Sequence, residues 1–138
     1  MLDPLQSAIR AAGSALEAQS LRIRVVSENL ANAQTTGAGA GDDPYSRKTV
    51  TFASELSRAD GASLVKLRSI GIDPAPFRVM RDPGHPAADA KGYVKTPNVE
   101  PLIELADLKE ANRSYEANLQ TIKQARDLFS MTIDLLKA

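Results

Sequence analysis

Residues 5–33 read LQSAIRAAGSALEAQSLRIRVVSENLANA, and their apolar side chains recur at alternating steps of four and three. This spacing is typical of a helix with a heptad seam along one face. Asp3, Pro4 and Gln6 fit the N-cap, the first helical position and a capping box, so the pattern predicts a helix start there. The predicted seam consists of Leu5, Ile9, Ala12, Leu16, Gln19, Ile23, Val26, Leu30 and Ala33.

A second heptad pattern occupies the other end of the chain. Asn98 is a candidate cap and Pro101 falls in the first turn, which predicts a helix running to Leu136. Because both seams have the same period, we predict a mainly α fold in which long N- and C-terminal helices pair as a coiled coil. The second seam consists of Leu105, Leu108, Asn112, Tyr115, Leu119, Ile122, Arg126, Phe129, Ile133 and Leu136.

The middle of the chain holds most of the glycine and proline. Residues 48–53, 63–70, 77–81 and 92–95 are short strand candidates between turn residues. Residues 63–70 suit either a strand with one wet face or an extended arm lying on a neighbour. The predicted organisation is an N-terminal assembly helix in 1–36, a flexible loop in 37–47, an irregular β-rich middle segment in 48–96 and a C-terminal assembly helix in 97–138.

Composition argues against several functional classes. Lys plus Arg and Asp plus Glu both number 17, so no net charge attracts nucleic acid. The absence of Cys excludes disulfides, thiolate zinc sites and a Cys nucleophile. No apolar run approaches the roughly 20 residues that span a bilayer, and the first residues lack a basic region. We therefore expect no nucleic-acid partner, no membrane anchor and no cleaved signal peptide.

Asp82, His85 and Asp89 form the densest polar group, in the stretch DPGHPAAD. They suggest a metal or acid/base site, but a second imidazole and a packed supporting element are missing. Asp-Pro-Gly is itself a strong turn signal, and we interpret the group as a structural turn. We predict no catalytic residue, no metal and no cofactor. An enzyme built on these three residues is the alternative, which loss of a metal-dependent activity in His85→Ala would support.

Four other positions leave two interpretations open. Gly13 either weakens its helix by roughly 1 kcal/mol relative to Ala or admits the close approach of another backbone. Gln19 and Asn112 are either exposed or set the register of the helices at a cost in stability. For Arg126 we favour exposure, because its long side chain can extend to solvent.

Both ends of the chain resemble the family of flagellar rod and hook proteins. ALEAQSLRI in 15–23 and SENLANA in 27–33, with Thr36-Gly37, resemble its N-terminal motif, and EANRSYEAN in 110–118 resembles the run that opens its terminal helix. Between them, DPAPFR in 73–78, DPGHPAADAKGYV in 82–94 and PNV in 97–99 resemble the stretch that marks one member of the family. The glycine-rich residues 37–41 depart from the family pattern.

The resemblance implies a structural subunit of the bacterial flagellar basal body, in a rod that crosses the periplasm. It implies partners among copies of the same chain, other rod proteins and the type III export apparatus, through which the unfolded chain passes without a cleaved signal. Another axial protein of the family and a soluble coiled-coil adaptor are the alternatives. The expected assembly interface comprises Leu16, Ile23, Val26, Asn29, Leu30, Asn32, Leu105, Leu108, Asn112, Tyr115, Asn118, Leu119, Ile122, Phe129 and Ile133.

Overall fold

The computed structural model describes residues 2–59 and 61–137, which form two long helices with four strands between them. Helix α1 spans Leu2–Ala31 and helix α2 spans Pro101–Lys137. The predicted fold class, mainly α with a small β-rich middle, is confirmed. The strands are β1 Lys48–Leu56, β2 Ser63–Ile72, β3 Arg78–Arg81 and β4 Tyr93–Thr96.

Helix α1 ends at Ala31, two residues before the predicted end of its seam. The side-chain amide of Asn32 donates to the backbone carbonyl of Glu28 at 2.9 Å, and the hydroxyl of Thr35 donates to Asn32 Oδ1 at 3.1 Å. The same carbonyl also accepts the backbone N–H of Asn32 at 3.1 Å, so the side chain of Asn32 adds a second donor to the last helical turn.

Asn98 does not cap α2, and that prediction is wrong. Its Oδ1 accepts the backbone N–H of Arg47 at 2.8 Å, while its amide donates to the carbonyls of Asp73 and Ala75 at 3.2 and 3.0 Å. The helix instead begins three residues later, at Pro101. Asn98 holds together the base of a β-hairpin, which a local capping pattern cannot reveal.

The four strands form two separate two-stranded sheets. Strand β1 pairs with β2, and β3 pairs with β4 in an antiparallel register that runs from Arg78 opposite Thr96 to Arg81 opposite Tyr93. Gly92 precedes β4 with φ of 81°, and a Cβ there would lie 2.9 Å from Pro83 Cγ. Only glycine fits this turn without strain.

The chain divides into two compact units. The first unit contains Met1–Ile23, Thr51–Ser69 and Lys109–Ala138, and among its described residues the buried apolar ones are all alanines: Ala12, Ala18, Ala62, Ala111 and Ala125. The second unit contains Arg24–Val50 and Ile70–Leu108, and it buries mainly valines: Val25, Val26, Val94 and Val99, with Ala87. The buried apolar side chains of the first unit are thus small, and each of them contributes little hydrophobic free energy.

Candidate assembly interface

The predicted seam of α1 is covered within the chain. Val26 is buried, and Leu16, Ile23 and Leu30 are half-buried. The exposed face of this helix is a narrow stripe with mostly polar side chains: Arg10, Glu17, Ser20, Arg24, Ser27 and Ala31. Because the apolar residues of α1 already have covering neighbours, this helix leaves only a small apolar surface for other chains.

Between residues 104 and 126, the covered face of α2 is displaced by one position from the predicted seam at every second step. Glu104, Ala111 and Ala125 are buried and Asn118 is half-buried, whereas the predicted Leu105, Asn112, Leu119 and Arg126 are exposed. Of the remaining predicted positions, Leu136 is exposed and the others are half-buried: Leu108, Tyr115, Ile122, Phe129 and Ile133. Small side chains at alternate positions let a helix pack closely, so the row of alanines turns inward and the bulkier leucines turn outward.

In the first unit, the beginning of α1 and the end of α2 line a common cavity of about 400 Å³. Its lining is mostly apolar and consists of Leu5, Gln6, Ile9, Arg126, Phe129, Ser130 and Ile133. Phe129 and Ile133 from the predicted interface therefore face α1 of the same chain. The side chains of α1 and α2 therefore leave this cavity unfilled.

The last turns of α2 carry a second apolar face, of which only Leu136 belongs to the predicted seam. Leu128, Met131, Leu135 and Leu136 are between 52 and 83% exposed. The steps of three and four from Leu128 to Met131 and on to Leu135 are helical spacing, so the signal was present in the sequence. The neighbouring heptad through Phe129 and Ile133 has the same helical spacing, so periodicity alone does not distinguish the two faces. A helix that is apolar on two sides is suited to burial on both.

A buried polar cluster lies in the second unit, where the end of α1, the start of β1 and the start of α2 meet. Glu104 is 0% exposed and Asn29 is 1% exposed. Arg47 donates through Nε to Glu104 Oε1, and Asn29 donates to Glu104 Oε2 at 3.3 Å. The amide of Asn29 also binds both backbone groups of Lys48: it donates to the carbonyl at 2.9 Å and accepts from the N–H at 2.8 Å.

Tyr45 also belongs to this cluster. Tyr45 donates its hydroxyl to Asn29 Oδ1 at 2.8 Å, and burial, with the negative charges of Glu28 and Glu104, raises the pKa of its phenol. Burial alone would lower the pKa of Arg47, but the hydrogen bonds and charges of Glu104 and Asp73 outweigh it and raise that pKa. The phenol of Tyr45 therefore remains neutral and Arg47 remains charged over the physiological pH range.

Asn29 is a predicted residue of an interface between chains, whereas Glu104, Arg47 and Tyr45 are not among the predicted site residues. Here the side chain of Asn29 is bound within its own chain. A glutamate early in a helix ordinarily indicates a favourable interaction with the helix dipole. Its partner Arg47 lies 57 positions away, so no local pattern links the two.

Asp82, His85 and Asp89 lie on consecutive turns. The backbone N–H of His85 binds the carbonyl of Asp82 at 3.1 Å, and His85 Nδ1 accepts the N–H of Ala87 at 3.0 Å. Asp89 Oδ1 accepts the backbone N–H of Tyr93 at 2.9 Å, and this bond leads the interactions that hold the pKa of Asp89 below its usual range. The backbone of Asp82 and the side chains of His85 and Asp89 thus stabilise the turns, as the turn interpretation predicts. Within residues 2–59 and 61–137, no group of three acidic, His or Cys residues is arranged to hold a metal.

The polar seam positions separate into two kinds. Asn112 and Arg126 are exposed, as one interpretation of each predicts. Gln19 is half-buried, and its Oε1 is buried without a hydrogen-bond partner in the part of the chain that the structure describes. Simple exposure therefore does not explain Gln19. Neither described helix is long and apolar enough to cross a membrane.

Comparison with known families identifies the class of protein to which this arrangement of helices belongs. A family model described as flagella basal body rod protein matches residues 9–38. A second, described as flagellar basal body rod FlgEFG protein C-terminal, matches residues 90–135. The matched segments contain most of α1 and most of α2, and they identify a flagellar basal-body rod protein.

Individual relatives narrow this class to one family. The chain is 59% identical to the flagellar basal-body rod protein FlgC of Agrobacterium fabrum over 99% of both chains. It is 39% identical to FlgC of Salmonella typhimurium, over 90% of this chain and 92% of the relative, and 36% identical to FlgC of Bacillus subtilis, over 94% and 96%. The chain belongs to the FlgC family of flagellar basal-body rod proteins, which confirms the resemblance.

Proposed function

We propose that the chain is a structural subunit of the flagellar rod and assembles with copies of itself and with other rod components through the end of α2. The exposed face formed by Leu128, Met131, Leu135 and Leu136 carries this proposal. Complete burial of such a side chain is worth about 1.5–3 kcal/mol, so covering the four would contribute several kcal/mol per subunit. A contact of this size that recurs at every copy favours a tube over free chains.

The core of the first unit supports the same proposal. Its buried apolar residues, among those described, are alanines, and larger apolar side chains such as Leu16 and Phe129 remain half-buried. More burial is thus available to this unit than its own chain supplies. Neighbouring subunits that cover the exposed face of α2 would supply it, in contacts that are heterologous and repeat along a helical assembly.

The alternative, a soluble coiled-coil adaptor, predicts helices that pair within one chain, and the shared cavity between α1 and α2 fits it. However, an adaptor whose helices pair only within one chain does not explain why α2 carries a second, exposed apolar face. Family membership also favours the rod.

Substitution on the second face of α2 tests the proposal. We expect Met131→Asp and Leu135→Asp to abolish rod assembly and motility while the purified variants keep the helicity and the melting temperature of the original chain. Gln124→Asp is the matched control, because Gln124 is an exposed polar residue of the same helix. Normal rods from both apolar-to-Asp variants, in a strain without another copy of the gene, would contradict the proposal.

We further propose that the chain is located in the rod where it crosses the periplasm, and that it is exported unfolded by the flagellar type III apparatus without cleavage of a signal. This rests on the family to which the chain belongs. We expect the secreted protein to retain Met1 or begin at Leu2 and to remain in the cytoplasm when the export ATPase is absent. Mass spectrometry of the secreted chain determines its N-terminal residue. Cell fractionation shows whether the chain stays in the cytoplasm of the mutant. A shortened N-terminus would contradict export without cleavage.

A further inference from the structure

Two heptad-patterned helices do not by themselves fix their alignment along one another. A shift of seven residues, about 10 Å along the axis, places seam positions opposite seam positions again. On α2 such a shift exchanges Ala111 for Asn118, or Asn118 for Ala125, in the same row, with little change of shape. Apolar packing therefore distinguishes poorly between the observed alignment and one displaced by a heptad.

The buried cluster breaks this repeat. Glu104 occupies the same heptad row as Ala111, Asn118 and Ala125, and it is the row's only charged residue within α2. If α1 moved by one heptad toward the C-terminal end of α2, Asn29 would lie opposite Ala111, which offers no hydrogen-bond acceptor in its side chain. Its amide would then be buried without its partners, at a cost of roughly 1–3 kcal/mol for each group left unpaired.

The same residues also link the start of β1 to this alignment of the two helices. Asn29 binds both backbone groups of Lys48, and Arg47 reaches Asp73 at 3.3 Å as well as Glu104. The start of β1 therefore contacts side chains from α1, α2 and the segment after β2. Because each helix supplies one fixed partner, the hairpin base is satisfied in only one alignment of the helix ends.

We infer that Asn29, Arg47 and Glu104 are positioning residues that set the register of α1 against α2 in the second unit. Replacing a buried ion pair by apolar residues often leaves stability unchanged or raises it, so the pair is weak evidence for a contribution to stability. Polar residues buried in helical seams are best attested as determinants of register. Both carboxylate oxygens of Glu104 have partners, which meets the condition for burying such a group.

Distance measurement on spin-labelled protein tests this inference on the isolated chain, independently of rod assembly. The chain has no Cys, so Ser27→Cys and Ala106→Cys provide one label on each helix, both at exposed positions of the second unit. The test variant is Arg47→Met with Glu104→Leu. The matched control is Lys66→Met with Glu55→Leu, which removes an exposed ion pair of 2.8 Å.

We expect one distance in the parent and in the control. The test variant should retain its helicity but show a second population displaced by about 10 Å along the helices. A single unchanged distance in the test variant would overturn the inference. Loss of helicity would overturn it as well, because the cluster would then maintain the fold and not the register.

Discussion

The side-chain amide of Asn29 donates to Oε2 of Glu104 at 3.3 Å, although the two residues lie 75 positions apart in the chain. This bond links the last turns of α1 to the first turn of α2. The same amide binds the backbone of Lys48, so one side chain connects both terminal helices to the middle segment. The stability of the second unit should depend on it strongly.

Asn29→Ala should lower the free energy of unfolding by about 2–4 kcal/mol, because the N–H of Lys48 and the carboxylate of Glu104 each lose a buried partner. Urea denaturation followed by circular dichroism measures the loss. Asn118→Ala is the matched control, since the amide of Asn118 binds only a carbonyl of its own helix, that of Ser114. We expect that variant to change little. Equal losses in both variants would show that the cluster has no special role.

Titration of the Tyr45 phenol should make the protein less stable at alkaline pH. Its phenol has a raised pKa, so the folded state favours the neutral form more than the unfolded state does. The resulting stabilisation is fully present below the ordinary value of about 10 and is lost as the pH rises through the raised pKa. We expect Tyr45→Phe to be less stable than the parent at neutral pH, with a difference that narrows above about pH 10. Urea midpoints across this range, with phenolate absorbance as a titration probe, measure it. A constant difference would contradict the assignment.

The sequence predicts the elements of this fold well and the partners of their side chains poorly. Helix and strand types follow from periods of 3.6 and 2, which are local properties, and the observed strands differ from the predicted ones only at their ends. Glu104 and Arg47 are brought together by tertiary folding, so no window of sequence contains both. Leu105 and Ala111 illustrate a related limit: both fit a helical stripe, and packing of small side chains decides which stripe turns inward.

Substitution of Gly13 tests whether this glycine only weakens its helix or also admits the close approach of another backbone. A Cβ at this position would meet nothing within 4 Å apart from its own helix and chain neighbours, so close approach within the chain is excluded. We expect Gly13→Ala to stabilise the purified protein by about 0.5–1 kcal/mol through helix propensity. Thermal unfolding measures this, with Gly92→Ala as a comparison that should destabilise because φ is 81° there. If Gly13→Ala is more stable but forms no rods, the close approach is to another subunit.

A charge introduced at Leu119 should separate assembly from folding. Leu119 is 38% exposed on α2, next to the row of residues that packs inside the chain. Leu119→Asp should therefore fold with a small loss of stability, yet block rod assembly, because an unpaired carboxylate buried between subunits is strongly unfavourable at every repeated contact. Basal-body purification and motility assays measure assembly, and Gln120→Asp, at the exposed neighbouring position, is the control.

Leu30→Asp gives the complementary result. Leu30 is half-buried in the second unit, so a carboxylate there should reduce both the stability of the purified chain and the number of rods. A stable Leu119→Asp protein that forms no rods, beside an unstable Leu30→Asp protein, would separate the outward face of α2 from the covered face of α1. If both variants assemble normally, the terminal helices do not hold the subunits together, and the contacts must then come from the middle segment, where Leu67, Ile70 and Ile72 of β2 are exposed.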